Sequence, residues 1–550
     1  MRFIMNKKLL LFKRITIVIL MLFTLTCVVC KYNNELVDAS TQTEYLKKGD
    51  GTYLTYRGSS EKVLTLKEYN YPIQQYRAVW VSHFAGDISA YQDEKSYKED
   101  LTEILDNMVS WGMNALVFHI RTHNNAMYDS DLNPRARWWQ NVNFDEFDPL
   151  EWLISECHKR GIEFHAWMNP YRIGGSNVIG EYPEGNPALD DSLILSNGEG
   201  SILDPSSQVV RDFIVDTCME VIEKYDVDAI HFDDYFYISG VETNKSGDWK
   251  REQVDLFIKQ LHDEMTAHNE EYGKNVQLGI SPSGIYRNGG YVATPTYDEK
   301  GNLVSPLGSY TSGFAHYDNY LYSDTLHWIN EGWIDYITPQ SYWGLEHNVA
   351  SYAALTRWWS WATTNKDVNL YMGMGIYMAI DSSGYWGKDA NEVNKQLLNA
   401  GMYEEIDGIC VYKYASLLSS NKTVKNGVYL LIICKTASEN AKKEAQARHE
   451  ARKKVVEDEV NAWKNLLDKK QINEKDATNI LCYTYFPSIS FTIATIGILT
   501  FNNIKIGILL YLNTILNNIL IAIYLKKEII TQTNETTLNK DTLSNTIKNS

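Results

Sequence analysis

The chain has little of several things that would assign a protein at a glance. Its 550 residues include 7 cysteines, at positions 27, 30, 157, 218, 410, 434 and 482. Apart from Cys27-Val28-Val29-Cys30 inside an apolar run, none forms a CxxC pair. That scatter argues against a disulfide scaffold and against a cysteine-built zinc site. Cys157, Cys218 and Cys410 fall in apolar-periodic stretches and read as buried, inert thiols. Positive charge is scarce as well. The net charge is −17, and residues 76–427 hold 51 Asp and Glu against 25 Lys and Arg, a net of −26. A body this acidic repels phosphate backbones, so no nucleic-acid partner is expected. A composition of 44% hydrophobic and 22% charged residues excludes wholesale disorder. No wider His/Asp set joins His231, Asp233 and Asp234, so neither a metal nor a cofactor is expected.

What is present divides into six stretches. Residues 1–35 carry Lys7, Lys8, Lys13 and Arg14 and then an uncharged run, Ile15–Cys30. A basic start before a short apolar run is a secretory signal or a signal anchor. The acidic body is therefore expected outside the cytoplasm, secreted or membrane-anchored, with lipidation at Cys27 or Cys30 left open. Residues 36–75 read as a linker or N-terminal extension and 76–427 as the folded body, which holds 14 of the 15 tryptophans. Residues 428–475 include a charged helical pattern, and 476–530 contain two charge-free runs, Ile480–Leu499 and Ile506–Leu525. Each run is long enough to cross a bilayer as a helix, so a second membrane attachment is expected there. Residues 531–550 read as a polar, solvated tail.

The body repeats one theme, a short β-rich apolar run followed by a longer amphipathic stretch. Strands are expected at Arg77–Ser82, Ala115–Arg121, Glu163–Asn169, Asp228–Asp233, Val276–Ser281, Ile334–Gln340, Leu370–Ile376 and Gly408–Tyr412. Eight such units point to an α/β fold, a (β/α)₈ TIM barrel with long βα loops. The alternative, a doubly wound open sheet, lacks its glycine-rich phosphate turn, because Ser82-His83-Phe84 follows the first strand. The eighth unit is irregular, since Val428–Cys434 is wholly apolar where an amphipathic closing helix is expected.

In such a barrel the site lies at the C-terminal strand ends. Strand alternation sets His119 with Arg121, His165 with Trp167 and Asn169, and His231 with Asp233. It likewise sets Ser281 with Ser283 and Gln340 with Tyr342. Polar groups thus gather at one end of five strands, where burial without partners would be costly. The sharpest segment is His231-Phe232-Asp233-Asp234-Tyr235-Phe236-Tyr237. Paired carboxylates among aromatics suit glycoside cleavage: one protonates the leaving oxygen and another group stabilises or attacks the oxocarbenium-like centre. Adjacent residues point to opposite faces, so Asp233 is expected in the cleft, with Asp234 as its hydrogen-bonding neighbour. The plain alternative is a capped strand end with two solvated aspartates. Asp204 serves equally as a helix start or a catalytic group, and Tyr342-Trp343 as a sugar platform or a core pair. The run Trp358-Trp359-Ser360-Trp361 reads as packing.

Several motifs resemble one family: Arg77-Ala78-Val79-Trp80-Val81, Asn169-Pro170-Tyr171-Arg172, Leu203-Asp204-Pro205, the His231–Tyr237 segment, Ile280-Ser281-Pro282-Ser283-Gly284 and Pro339-Gln340-Ser341-Tyr342-Trp343. In this order, over about residues 76–420, the chain resembles the bacterial glycosyl-hydrolase-like family ten. The resemblance implies a TIM-barrel hydrolase of the cell envelope, with peptidoglycan glycan strands, especially peptide-free ones, as substrate. It centres the site on Asp233 and Asp234. Arg121, His165, Asn169, Tyr171, Arg172, His231, Tyr235, Ser281, Gln340, Tyr342 and Trp343 are the expected substrate contacts. The tail from about 460 to 526 is similar to part of the nucleoside-recognition gate region of sporulation-type membrane proteins. A non-catalytic carbohydrate-binding envelope protein is the competing reading. A second carboxylate beside Asp233 discriminates between the two.

Overall fold

The computed structural model describes residues 43–68, 76–318, 321–380, 386 and 389–427. The expected signal (1–35), charged helix (428–475), membrane helices (476–530) and tail (531–550) lie outside the described residues. Among the described residues no helix is long and apolar enough to cross a membrane.

Eight parallel strands close into a barrel: β1 (Tyr76–Val81), β2 (Ala115–Arg121), β3 (Glu163–Met168), β4 (Ala229–Phe232), β5 (Gln277–Ile280), β6 (Tyr336–Ile337), β7 (Asn369–Gly375) and β8 (Ile406–Tyr412). Each pairs with its sequence neighbours, and β8 closes on β1 with Cys410 opposite Ala78. The eighth strand is therefore complete. Between the strands run α1 (Glu94–Ser110), α2 (Pro149–Lys159), α3 (Gln208–Lys224), α4 (Gly247–Tyr272), α5 (Thr325–Glu331), α6 (Tyr352–Thr363) and α7 (Glu392–Ala400). Their ends carry ordinary caps. Asp148 accepts from Leu150 and Glu151 N–H ahead of Pro149, and Gly273 ends α4 at φ 62°.

The apolar core fills the space between strands and helices, where Trp358 and Trp359 of α6 are wholly buried. The barrel interior is different. Its small residues, Ala78, Ala115, Val117 and Ala229, make room for Tyr76, Trp80, Trp167, Tyr336 and Tyr371. Gly279 on β5 is the tightest point, because a Cβ there would lie 1.8 Å from Cζ of Tyr336. Only glycine lets that tyrosine cross the barrel axis.

Residues 43–68, within the stretch read as a linker or N-terminal extension, pair Thr43–Tyr45 with Leu64–Leu66 and bury Leu46, Leu54, Tyr56 and Val63. They dock on the barrel's flank through Asn399 Nδ2 to Leu64 O (3.1 Å) and Arg357 to Glu61 (2.8 Å). With four buried apolar side chains, the segment is part of the body's packing.

Candidate active site

The two aspartates follow β4, whose last residue is Phe232. Strand alternation stops there, and this reverses the expectation that Asp234 faces away from Asp233. The chain turns as Tyr235 N–H donates to Asp233 Oδ1 (3.2 Å), and both carboxyls end in one electrostatic environment beside Arg172. Asp233 is 5% exposed and collects further donors: Trp167 Nε1 (3.2 Å) and Asn169 Nδ2 (3.1 Å). The other end of Asn169 is fixed by Arg172 N–H, which donates to its Oδ1 (2.9 Å). Asp234, half-buried, shares a hydrogen bond with the side chain of Gln340. Gln340 Nε2 is in turn anchored on Ser281 O (2.8 Å).

These surroundings set the protons. Burial raises Asp233, and Arg172 and its three donors only partly oppose that rise. Burial and then the neighbouring Asp233 charge raise Asp234 to about 7, against weaker opposition from Arg172 and Gln340. The pair titrates as a unit in which both carboxyls are raised, and Asp233, with more donors, faces the stronger opposition to that rise. The donors around it are amide, indole and guanidinium groups, none of them a metal ligand. Among the described residues no three metal-ligating side chains cluster.

Aromatic surfaces flank the pair on both sides. On one, Arg172 lies 3.7 Å over the ring of Tyr235, with Phe84 beyond it. On the other, Tyr342 stacks on Tyr412 (5.7 Å) and meets Tyr377 edge-on. There a cavity of about 410 Å³ is lined by Ser283, Phe314, Gln340, Tyr342, Trp343, His347, Tyr377 and Trp386, among others. Its size and lining are those of a small-ligand site.

Five expected contacts are placed elsewhere. His165 and His231 are fully buried inside the barrel. Each inward step of two residues descends about 6.6 Å along a strand, so His165 lies two steps below Asn169. Trp80 Nε1, a donor only, meets His231 Nε2 (3.2 Å), which places the imidazole proton on Nδ1 facing Tyr336 Oη (2.9 Å). The Tyr336 hydroxyl then donates to His165 Nδ1 (2.7 Å), whose Nε2 faces Glu163 (3.3 Å) at the opposite end of the barrel. Ser281, 1% exposed, joins that chain through His231 Nε2 (3.0 Å). Arg121 departs for another reason. An irregularity between His119 and Arg121 pairs His119 with Trp167 but Arg121 with Met168, which packs in the core outside the barrel. Arg121 is fully buried there, donating to Pro170 O (2.9 Å), Asn124 (2.6 Å) and Asn169 O, and props the loop that presents Asn169. Tyr171 is likewise buried outside the barrel, edge-on to Phe257. Asp204 accepts from Ser206 N–H (2.8 Å) in the turn before α3. Phe84, Trp167, Phe314 and Tyr377 were absent from the expected contacts. Phe84 and Tyr377 follow strand ends directly, a signal that chain position alone carries.

The family model described as Glycosyl hydrolase-like 10 matches residues 75–246 and 240–385. The chain belongs to this family. Glycosyl hydrolase YngK of Bacillus subtilis (strain 168) is 32% identical over 380 residues, which cover 64% of this chain and 71% of that relative. Glycosyl hydrolase DigH of Escherichia coli (strain K12) is 28% identical over 353 residues, 58% of this chain and 75% of that relative. Among solved structures, the catalytic domain of a beta-amylase from Paenibacillus polymyxa covers 67% of this chain and 100% of its own, at 10% identity and a TM-score of 0.42. In this glycosyl hydrolase-like 10 chain the two matched segments overlap at residues 240–246, just after Asp233 and Asp234.

Proposed function

We propose that the protein hydrolyses O-glycosidic bonds in a bacterial cell-envelope polysaccharide, with peptide-free peptidoglycan glycan strands as substrate. The observation that carries this reading is the unequal pair. Asp233 has three donors and Arg172 to favour its charged form, while Asp234 keeps a proton to about pH 7. Two carboxyl groups whose surroundings drive their proton affinities apart supply an acid and an anion in one place. Asp234 delivers its proton to the leaving oxygen, and the Asp233 carboxylate faces the positive charge growing at the anomeric carbon. Aromatic faces on both sides suit the flat apolar faces of sugar rings. A protein that only bound glycan would need the platforms but not a buried pair of carboxyls, so the second carboxyl beside Asp233 favours catalysis. The family and the named relatives support the same class.

The basic start and apolar run of residues 1–35 support an extracytoplasmic, anchored or secreted location. Full-length protein in the membrane or extracellular fraction is the expected result, and recovery wholly in the cytoplasmic fraction would refute it. The activity is tested by incubating purified protein with peptide-free glycan strands and analysing products by mass spectrometry. Shortened glycans with wild type and none with Asp234→Asn are expected. Intact glycans in both would remove the hydrolase assignment.

A further inference from the structure

One end of the cleft is cationic in an otherwise acidic body. Every other arginine of residues 76–427 either pairs with a carboxylate, as Arg160, Arg251, Arg287 and Arg357 do, or donates to backbone carbonyls, as Arg121 and Arg211 do. Arg137 and Arg172 form no ion pair with any described residue. Both lie on ring faces instead: Arg137 4.6 Å over Trp138, Arg172 3.7 Å over Tyr235 and 5.7 Å over Phe84. Phe84 joins them into one patch, with ring contacts to Trp138 (6.1 Å) and His123 (5.2 Å). Arg172 faces the Asp233–Asp234 pair, but with 51 carboxylates in the same body Arg137 is not set against any of the described ones. His123 between them reports the local field. Burial, then Arg172, Arg121 and Arg137, press its pKa down to about 4, so the ring is neutral.

A guanidinium held flat on an aromatic keeps its N–H edge for a carboxylate, which it grips through two parallel bonds. Phe84 and Tyr235 are 47% and 43% exposed, enough to carry a sugar ring each. We propose that this end of the cleft, formed by Phe84, Tyr235, Arg172 and Arg137, is a subsite for a sugar bearing a carboxylate, with Arg137 as its main anchor. The proposal rests on the hydrolase reading above and adds a specificity to it. Arg172 also faces Asp233 and Asp234, so the subsite adjoins the reacting position. A densely charged polymer would be repelled by the body's net −26, whereas a backbone with an occasional carboxylate is not.

The test uses full-length Asp234→Asn protein, to block turnover, and calorimetric binding of two ligands. One is a peptide-free peptidoglycan oligosaccharide with its lactyl carboxylates, and the other is the same oligosaccharide with those carboxylates converted to methyl esters. About tenfold tighter binding of the acid form is expected, as for a charge-assisted hydrogen bond at a partly exposed site. Adding Arg137→Gln should bring the two affinities together, and Arg137→Lys should restore part of the gap. Because Arg137 is exposed, its fold is not at risk, and the ester arm needs no substitution at Arg137 at all. Equal affinity for both ligands would overturn the subsite and leave the hydrolase reading standing. A preference that survives Arg137→Gln would overturn the role of Arg137. Binding of neither glycan would remove the hydrolase reading, and the subsite with it.

Discussion

In the barrel interior, Trp80, His231, Tyr336 and His165 pass hydrogen bonds along the axis, and each has its partners inside the protein. One layer up, at the mouth, Trp167, Asn169, Gln340 and Arg172 are arranged around two carboxyls. Both regions are built from the same strands and the same residue types. They differ in charge and in access. The interior holds neutral groups, with His231 driven well below the usual imidazole range by burial, and is closed. The mouth holds two carboxyls, both raised by burial, beside Arg172 under an open cleft. Burial of a neutral, fully partnered network fixes shape, whereas burial of an imperfectly balanced pair stores reactivity.

The comparison is broken most directly by exchanging one atom in the mouth. Asp233→Asn or Asp234→Asn should each lower turnover about 10²–10⁴-fold, measured under single-turnover conditions on glycan strands. Asp233→Asn should also lower the melting temperature, because its NH2 must face one of the donors from which the carboxylate accepted, whereas Asp234→Asn should not. For Asp234 the sign is definite: its folded pKa is raised from 3.8 to about 7, so the stability it contributes is complete below 3.8 and lost as pH rises through 7. Asp234→Asn should therefore melt above wild type at pH 8, with the difference narrowing as pH falls below 7 and closing only near pH 3.8. Full activity in either variant would show that the pair does not act as proposed.

The interior should respond the other way. In Gly279→Ala the new Cβ would meet the ring of Tyr336, and overpacking of this kind costs typically about 1–3 kcal/mol or more. Tyr336→Phe is gentler in volume but leaves His231 Nδ1–H without its acceptor, at about 1–3 kcal/mol. Both should lower the urea midpoint while folded molecules keep near-normal turnover. Loss of turnover at unchanged midpoint in Tyr336→Phe would erase the distinction between the regions. A milder effect is expected at the rim. Tyr342→Ala removes a stacked face and should raise KM several-fold with a smaller change in kcat.

The sequence read the barrel well because its signal is repeated: eight apolar runs, each followed by a helical pattern, leave few topologies open. The carboxyl pair was legible too, since Asp233 and Asp234 are adjacent and flanked by four aromatics within seven residues. Depth was not legible. Alternation puts His165, Trp167 and Asn169 on one face, but says nothing of which reaches the mouth and which Tyr336 covers. Nor could it show the irregularity that turns Arg121 outward, or that β4 ends at Phe232 and frees Asp234 to rejoin Asp233. Each of these depends on neighbouring strands rather than on the strand itself.

Gln340 stands where the two regions join, and the smallest effect is expected there. Its Nε2 bonds Ser281 O, Ser281 Oγ bonds His231, and its side chain also bonds Asp234. That bond lowers the affinity of Asp234 for its proton, opposing burial and the Asp233 charge. Gln340→Ala should therefore leave Asp234 protonated to higher pH. If Asp234 is the acid, the alkaline limb of the kcat/KM profile, which reports the free enzyme, must move upward. The maximal rate should fall only a few-fold, because the acid loses its orientation and keeps its proton. A merely structural residue would leave the limb in place. A sugar contact, the role the sequence suggested for Gln340, would raise KM and also leave the limb in place. A downward shift would mean that the amide stabilises the protonated form, and the roles of Asp233 and Asp234 would then have to be exchanged.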